Sequence, residues 1–502
     1  MRHRILLAAA LLFLVVANMI WIARDTRPPF WDMALHGTAA VHLYDAVADS
    51  GVSALLRTPK VLLETGYPYP PFYPMFVAAA WSLFGRTVDV AELANLIPVA
   101  LLLLSTYGIG RFVLSPISAV AAAFLVSCYP ILLWLSREML IDYWLAATVT
   151  TAIWFLLRTN SFDDRRWSVA FGITAGVGVL TKWTFPFFVA LPFLYFARKN
   201  RVNAAISAAI AALISAWWYM PAASTLTQFY AMNTAGGRSE GDPGRITWQA
   251  LLFYIRALEG YQVFAVLFVA FIAGLVLCLR RFDPKWTPIL LWIGGGWLGL
   301  MLFQNKDPRY SAPLLPAVAL ITATLFERRR ECAVAVIGFA LLQHYVVSFG
   351  VRSVPSSVVL LRGAAGSQSW DWNLYTQTYF GLWGKPIRQD WKIPYVLDRV
   401  TQGSTGIVRL GLVPDIPRFD SLAFNFYIAL LKARVQLNRV GVGNTFDNDY
   451  VLVSEDSQGF YPFDEPNARP TNDFIKSHPE RFVAIEGITL PSGDVIQLYK
   501  VQ

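Results

Sequence analysis

The sequence predicts a polytopic α-helical membrane protein that carries a soluble α/β domain after its last span. Three observations predict it. Hydrophobic residues make up 56% of the 502 positions and charged ones only 15%, a far less polar balance than a soluble protein of this length shows. Apolar runs of about 17–25 residues, the length that crosses a bilayer, recur up to about residue 350. Beyond it, charges, Asn, Gly and Pro spread evenly and the long apolar runs stop. The expected domains are 1–350 in the membrane, with a first outer loop at 24–91, and 351–502 outside it.

The N-terminus, MRHRILLAAALLFLVVANMIWIARD, has a basic start and an apolar stretch of about 18 residues. Its length, and the lack of a small-x-small site before DTRPP, favour an uncleaved first span over a removed signal peptide. Basic clusters then set the cytosolic side. They are Arg2/Arg4, Arg111, Arg158 with Arg165/Arg166, Arg198/Lys199/Arg201, Arg280/Arg281 and Arg328/Arg329/Arg330. Placing all of them inside gives about eleven spans, near 5–23, 92–112, 116–134, 140–158, 168–181, 183–198, 203–220, 259–280, 286–303, 309–326 and 331–350. The N-terminus is then cytoplasmic and the C-terminal domain extracytoplasmic. FYPMFVAAAWSLFG at 72–85 is apolar but short, and reads as an interfacial or re-entrant helix.

The net charge of +9 lies largely in these short loops, where it orients the chain, so it does not imply a nucleic-acid partner. The three cysteines, Cys128, Cys278 and Cys332, all fall in spans. The outer domain has no disulfide framework and no thiolate metal site. A periplasmic face of an inner membrane is the expected location, since a lumenal one usually brings sequons and disulfides.

The outer loops gather acids and bases on one face. In PPFWDMALHGTAAVHLYD, Pro28 and Pro29 precede a helix that puts Asp32 in its first turn. The helix end favours the ionised carboxylate, and a carboxylate there can take a proton from a hydroxyl. A plain helix cap is the structural alternative. His36 lies one turn on; it reads mainly as a surface histidine and only secondarily as a metal or proton partner. In SREMLIDYWLAAT, Glu138 and Asp142 are four apart and are expected on one helix face. Asp142 enters an apolar span, where an ionisable group is a functional candidate unless it pairs with Arg137. In GITAGVGVLTKW, small residues at 172, 175, 176 and 178 permit close helix packing, and Lys182 ends the span.

The stretch KDPRYSAPLLP at 306–316 puts Lys306, Asp307, Arg309 and Tyr310 at the start of a span. Pro308 suits a helix start, helix N-termini bind anions, and Arg grips phosphate with two parallel bonds. Interfacial anchoring by Arg and Tyr is the alternative. GGRSEGDPGR at 236–245 carries Arg238 and Arg245 and is either a loop that closes over an anion or a solvated connector. Acids to act as base and cations to hold a leaving phosphate are what transfer from a lipid phosphate requires.

Taken in order, these pieces resemble a GT-C glycosyltransferase of the protein O-mannosyltransferase and lipid A aminoarabinose transferase group. They are WD at 31–32, YPPF at 69–72, SREMLID at 136–142, LTK at 180–182, WWYMP at 217–221 and KDPRY-x-x-P-x-x-P at 306–316. The resemblance covers about residues 1–350. It implies a polyprenyl- or dolichyl-phosphate monosaccharide as donor and transfer with inversion on the non-cytosolic face. It implies Asp32 as base and Asp142 as a second acid that orients acceptor or donor sugar. Lys182, Lys306, Arg309 and Tyr310 would line the phosphate and lipid side, with Arg238 and Arg245 as further phosphate candidates. Tyr69 stands where several relatives carry a charged residue, which removes a phosphate contact expected from that loop. Metal use varies in the group, so a divalent cation such as Mg or Mn at Asp32 and Asp142 is an open alternative.

Within 380–502, GIVRLGLVPD, VQLNRVGV, DYVLVSE, FVAIEGITL and DVIQLYKV read as strands and SLAFNFYIALLKA as a helix. No GxGxxG or P-loop is present, and Asp415, Asp420 and Asp449 read as turn and cap residues. The segment 361–392, with Trp370, Trp372, Trp383 and Trp391, is expected at the membrane surface or against sugar faces. The acceptor class (lipid, glycan or protein) stays open. A transporter or flippase of a lipid-linked sugar is the alternative function; it would show inverted repeats and charges at mid-membrane.

Overall fold

The computed structural model describes residues 1–353, 355–365, 368–376, 384–459 and 464–502. Contacts divide these into two compact units. The first holds Met1–Ala23, Pro68–Tyr73 and Glu92–Pro386; the second holds Arg24–Tyr67, Pro74–Ala91 and Ile387–Gln502.

Among the described residues, five helices are long and apolar enough to cross a membrane by length and composition. They are Arg2–Ile22, Val88–Val113, Arg201–Ser239, Trp248–Arg280 and Arg330–Phe349. Between them run Pro116–Ser127, Ile141–Arg158, Arg165–Thr181, Phe185–Ala197 and Thr287–Met301. Ser115 caps the first of these with its side-chain oxygen on the Ser118 amide, and Asp164 caps the third through the amides of Arg166 and Trp167, as N-cap chemistry prescribes. Phe72–Phe84 is a helix of 13 residues, about 20 Å long against an apolar core of about 30 Å.

Three expected spans differ in form. The 116–134 run is broken at Cys128–Tyr129, where Pro130 opens a separate short helix, Pro130–Leu135; proline fits a first helical position and not an interior one. The 309–326 run is a 3₁₀ turn, Pro308–Leu314, followed by the α-helix Leu315–Thr322 and a second 3₁₀ turn, Ala323–Leu325. Conversely, the helix that begins at Arg201 runs through Pro221 and Gly236–Gly237 to Ser239, so Arg238 ends a helix rather than sitting in a loop.

An antiparallel hairpin, β1 (Ser357–Ala365) and β2 (Gln368–Thr376), also belongs to the first unit. Trp372 on β2 meets the Phe268 ring edge-on at 5.8 Å. Trp383 lies outside the described residues, as does the side chain of Trp370.

The second unit contains a five-stranded sheet in the order β4-β3-β5-β7-β6. Its strands are β3 (Val408–Leu412), β4 (Val435–Arg439), β5 (Tyr450–Ser454), β6 (Phe482–Thr489) and β7 (Val495–Val501). β3 pairs in parallel with β4 and β5, while β7 is antiparallel to β5 and β6. All five strands and the Ser421–Leu431 helix stand where the alternation placed them. Trp391, expected at a surface, is instead 9% exposed and packs with Ile393, Val396, Leu410 and Phe424 in the core of the sheet. Burying an indole of that size contributes more than a surface position would return.

Candidate active site

In the first unit, Asp142 and the Tyr310 ring meet at Lys182. Asp142 is the second residue of the Ile141–Arg158 helix, after an extended Leu140. Lys182 follows the Arg165–Thr181 helix with extended backbone (φ −157°, ψ 139°), which turns its side chain out of the helix. Its Nζ lies 2.7 Å from Asp142 Oδ1, with both side chains nearly sealed from solvent (6% and 3% exposed). Asp142 therefore pairs with Lys182. Arg137 is held elsewhere: it donates from Nε to Asn18 Oδ1 at 2.7 Å and from Nη2 to Ser348 Oγ at 2.8 Å, and lies over the Trp21 ring at 5.2 Å.

Small residues make this placement possible. A Cβ on Gly172 would meet the Ser207 carbonyl oxygen at 2.7 Å, and one on Gly176 the Ile214 side chain at 2.8 Å. The Arg165–Thr181 and Arg201–Ser239 helices thus approach closely, as the spacing predicted. A Cβ on Gly178 would stand 2.2 Å from the Phe185 ring. Gly178→Val is therefore expected to lower the melting temperature of the purified protein, with about 1–3 kcal/mol lost to overpacking. An unchanged Tm would show that the Phe185 ring yields without disturbing the turn that carries Lys182.

Glu138 does not share a helix face with Asp142. It sits in the turn between Pro130–Leu135 and Ile141–Arg158, ahead of Leu140. It is 4% exposed, and its carbonyl accepts from Asn95 Nδ2 at 2.7 Å. The four-residue spacing carries no facing relation where the helix has not begun.

Lys182 Nζ also lies 4.4 Å from the centre of the Tyr310 ring, within cation–π range. Tyr310 donates its hydroxyl to Asn305 Oδ1 at 2.9 Å. Its neighbour Arg309 is steered by Asp307, which caps the 3₁₀ turn by accepting the Arg309 amide at 2.7 Å. The Arg309 Nε and Nη2 lie 2.9 and 2.8 Å from Asp307 Oδ2. Lys306 turns its ammonium back onto the carbonyls of Leu300 and Phe303, at the end of the Thr287–Met301 helix. Its amide donates to Asp242 Oδ2 at 2.7 Å. Burial pushes Lys306 down to about 8 and Asp242 up to about 6.

A pocket opens beside this cluster. Its walls include the rings of Tyr69, Trp183, Tyr230, Phe303 and Tyr310, and Lys182, Asn233, Gln304 and Asn305 bring polar groups into it. Tyr69 stacks on Trp183 at 5.8 Å and 27°, and both meet Phe229 at 5.2 Å. Arg245 reaches the pocket rim, donating to Thr234 Oγ1 at 3.1 Å and lying 5.4 Å from the Tyr230 ring. Aromatic faces with a few amides and one cation suit a ring with C–H faces and hydroxyls that ends in an anion. Arg238 is exposed. Trp183, Asn233 and Asn305 were missed in the sequence, because amide and indole side chains give no charge signal; Asp242 lies within the quoted GGRSEGDPGR, where the arginines drew the reading.

In the second unit, Asp32 lies in the first turn of the Trp31–Ser50 helix and is partly exposed. His36 is not on the surface: it is 1% exposed, with Nδ1 2.8 Å from the Tyr67 hydroxyl. Among the described residues, no three His, Cys, Asp or Glu side chains cluster to hold a metal ion. Asp142 has Lys182 as counterion rather than an open coordination position. No step below passes through a metal.

Residues 69–224, about a third of the chain, match the family described as dolichyl-phosphate-mannose-protein mannosyltransferase. No curated protein matches the sequence. Among solved structures, ArnT from Cupriavidus metallidurans bound to undecaprenyl phosphate superposes with a TM-score of 0.60 at 12% identity, covering 98% of this chain and 97% of that one. The same protein in the apo state gives 0.61 at 14% identity, with the same coverage. The Archaeoglobus fulgidus oligosaccharyltransferase tethered to an acceptor peptide gives 0.52 at 14% identity, covering 99% of this chain and 74% of that one. At such identities the likeness is one of fold: the chain shares the polytopic helical membrane fold of these structures, as the resemblance implied.

Proposed function

We propose that the protein is a glycosyltransferase that moves a monosaccharide from a polyprenyl-phosphate donor to an acceptor on the extracytoplasmic face of an inner membrane. The observation that carries this reading is the buried Asp142–Lys182 pair beside an aromatic and amide-lined pocket, within a fold whose solved relative binds undecaprenyl phosphate. The transfer is a single displacement. The acceptor oxygen forms a bond to the anomeric carbon, the bond from that carbon to the phosphate oxygen breaks, and the configuration inverts. Asp32 takes the acceptor proton; the electron pair leaves with the phosphate, whose growing charge Lys182 and Arg309 stabilise. Asp142 fixes Lys182 and orients the sugar.

Arg309→Ala is expected to weaken undecaprenyl phosphate binding by about tenfold or more, the worth of a charge-assisted hydrogen bond. Unchanged affinity by tryptophan fluorescence titration would leave Lys182 as the phosphate cation and give Arg309 a structural role beside Asp307. The function itself is tested by mass spectrometry of lipids, glycans and exported proteins from cells lacking the protein, then complemented. A sugar lost on deletion and restored by wild type identifies sugar and acceptor together. No altered glycan, with a changed distribution of lipid-linked sugar across the membrane, would favour the flippase.

A further inference from the structure

The helix that carries Asp32 begins under constraint. Phe30 precedes it with extended backbone, and Trp31 then adopts φ +44°, a left-handed value that a bulky residue takes only where its surroundings impose it. Those surroundings are supplied by residues near 420. Arg418, itself at φ +72° and 4% exposed, donates from Nη1 to the Pro28 carbonyl at 2.8 Å across a separation of 390 residues. Its guanidinium lies 4.6 Å from the centre of the buried Phe30 ring. Asp420, fully buried, caps the Ser421–Leu431 helix by accepting the amides of Leu422 and Ala423 at 2.9 and 3.1 Å. Burial raises its pKa to about 7. The segment that leads into the Asp32 helix is therefore gripped by one buried cation, and a buried carboxyl caps the helix on which the Asp32 helix packs.

The other end of that helix is held on the same partner. The Trp31–Ser50 and Ser421–Leu431 helices pack together. Arg86 joins Asp45 at 3.0 Å to the Leu430 carbonyl at 2.8 Å, and Lys432 reaches Asp45 at 3.3 Å. These groups are partly exposed and reach the Trp31–Ser50 helix through the Asp45 side chain. The Arg418 end instead grips the backbone that leads into that helix, four residues before Asp32.

We propose that Arg418 and Asp420 are positioning residues for Asp32, holding the Pro28–Trp31 backbone so that its carboxylate is presented in one direction. The proposal rests on the reading of Asp32 as the base. A base displaced by about 1 Å loses about a hundredfold in rate, while donor binding, which Asp32 does not make, is untouched.

The test uses permeabilised cells lacking the native protein and supplying their own donor and acceptor. They carry full-length wild type, Arg418→Ala, Asp420→Asn, Arg86→Ala or Asp32→Asn at matched membrane levels. The readouts are the initial rate of sugar incorporation and the affinity of each purified protein for undecaprenyl phosphate. Expected are a rate loss of about ten- to hundredfold for Arg418→Ala, a smaller loss for Asp420→Asn, which keeps an oxygen for the helix cap, and affinities within twofold of wild type. Millimolar guanidinium should restore part of the Arg418→Ala rate and none of the Asp32→Asn rate. Arg86→Ala, at the distant end, should stay near wild type. Wild-type rates in both Arg418→Ala and Asp420→Asn, with Asp32→Asn inactive, would overturn the positioning role and leave the base in place. A loss in Arg86→Ala equal to that in Arg418→Ala, without guanidinium rescue, would reduce the contact to general packing. An active Asp32→Asn would remove the base, and the positioning role with it.

Discussion

Asp32→Asn is expected to cut sugar transfer by about 10²–10⁴-fold, the usual contribution of a general base, with undecaprenyl phosphate affinity unchanged. The substitution keeps size and hydrogen-bonding reach and removes only the ability to accept a proton. In the proposed reaction the phosphate contacts belong to Lys182 and Arg309, so the two readouts separate cleanly. The position suits the role: partial exposure leaves the first-turn carboxylate open to an acceptor. Parallel loss of rate and affinity would move Asp32 into donor binding. Retained transfer would show that another group takes the proton and would bring the transport reading forward.

What the sequence made legible follows from the range of each signal. Hydropathy acts over one span and composition over one domain, so a polytopic helical fold with a C-terminal sheet domain was readable. The five strands of the sheet were readable because a period of two and polar turns are local. Local signals failed where structure turns on one residue. A spacing of four predicts Glu138 on the Asp142 helix face, but that helix begins only after the extended Leu140. The 3₁₀ run from Pro308 was taken as an α-helical span, and the turn of the Lys306 ammonium onto carbonyls was invisible, since charge alone does not say where a side chain points. The pairing of Asp142 with Lys182, forty residues apart, and of Arg418 with Pro28, 390 apart, joins segments that no periodicity relates. Each member was in view; the partner was not.

The Asp142–Lys182 pair yields the second large effect, and its two roles can be separated. Lys182→Met should destabilise the protein by about 3–5 kcal/mol, because it leaves a carboxylate 3% exposed without its cation. Adding Asp142→Asn should return much of that loss, since the remaining side chain is neutral and contacting residues couple by about 0.5–3 kcal/mol. Transfer should not return with it. If Lys182 stabilises the departing phosphate, the double variant is folded and still inactive, because methionine offers that oxygen no charge. Chemical denaturation of purified protein gives the first quantity and sugar incorporation in cells gives the second. Recovery of both together would make the pair a structural clasp and shift the phosphate to Arg309. Recovery of stability alone separates the clasp from the chemistry, and assigns to one buried ammonium both the tie between two helices and the charge beside the Tyr310 ring.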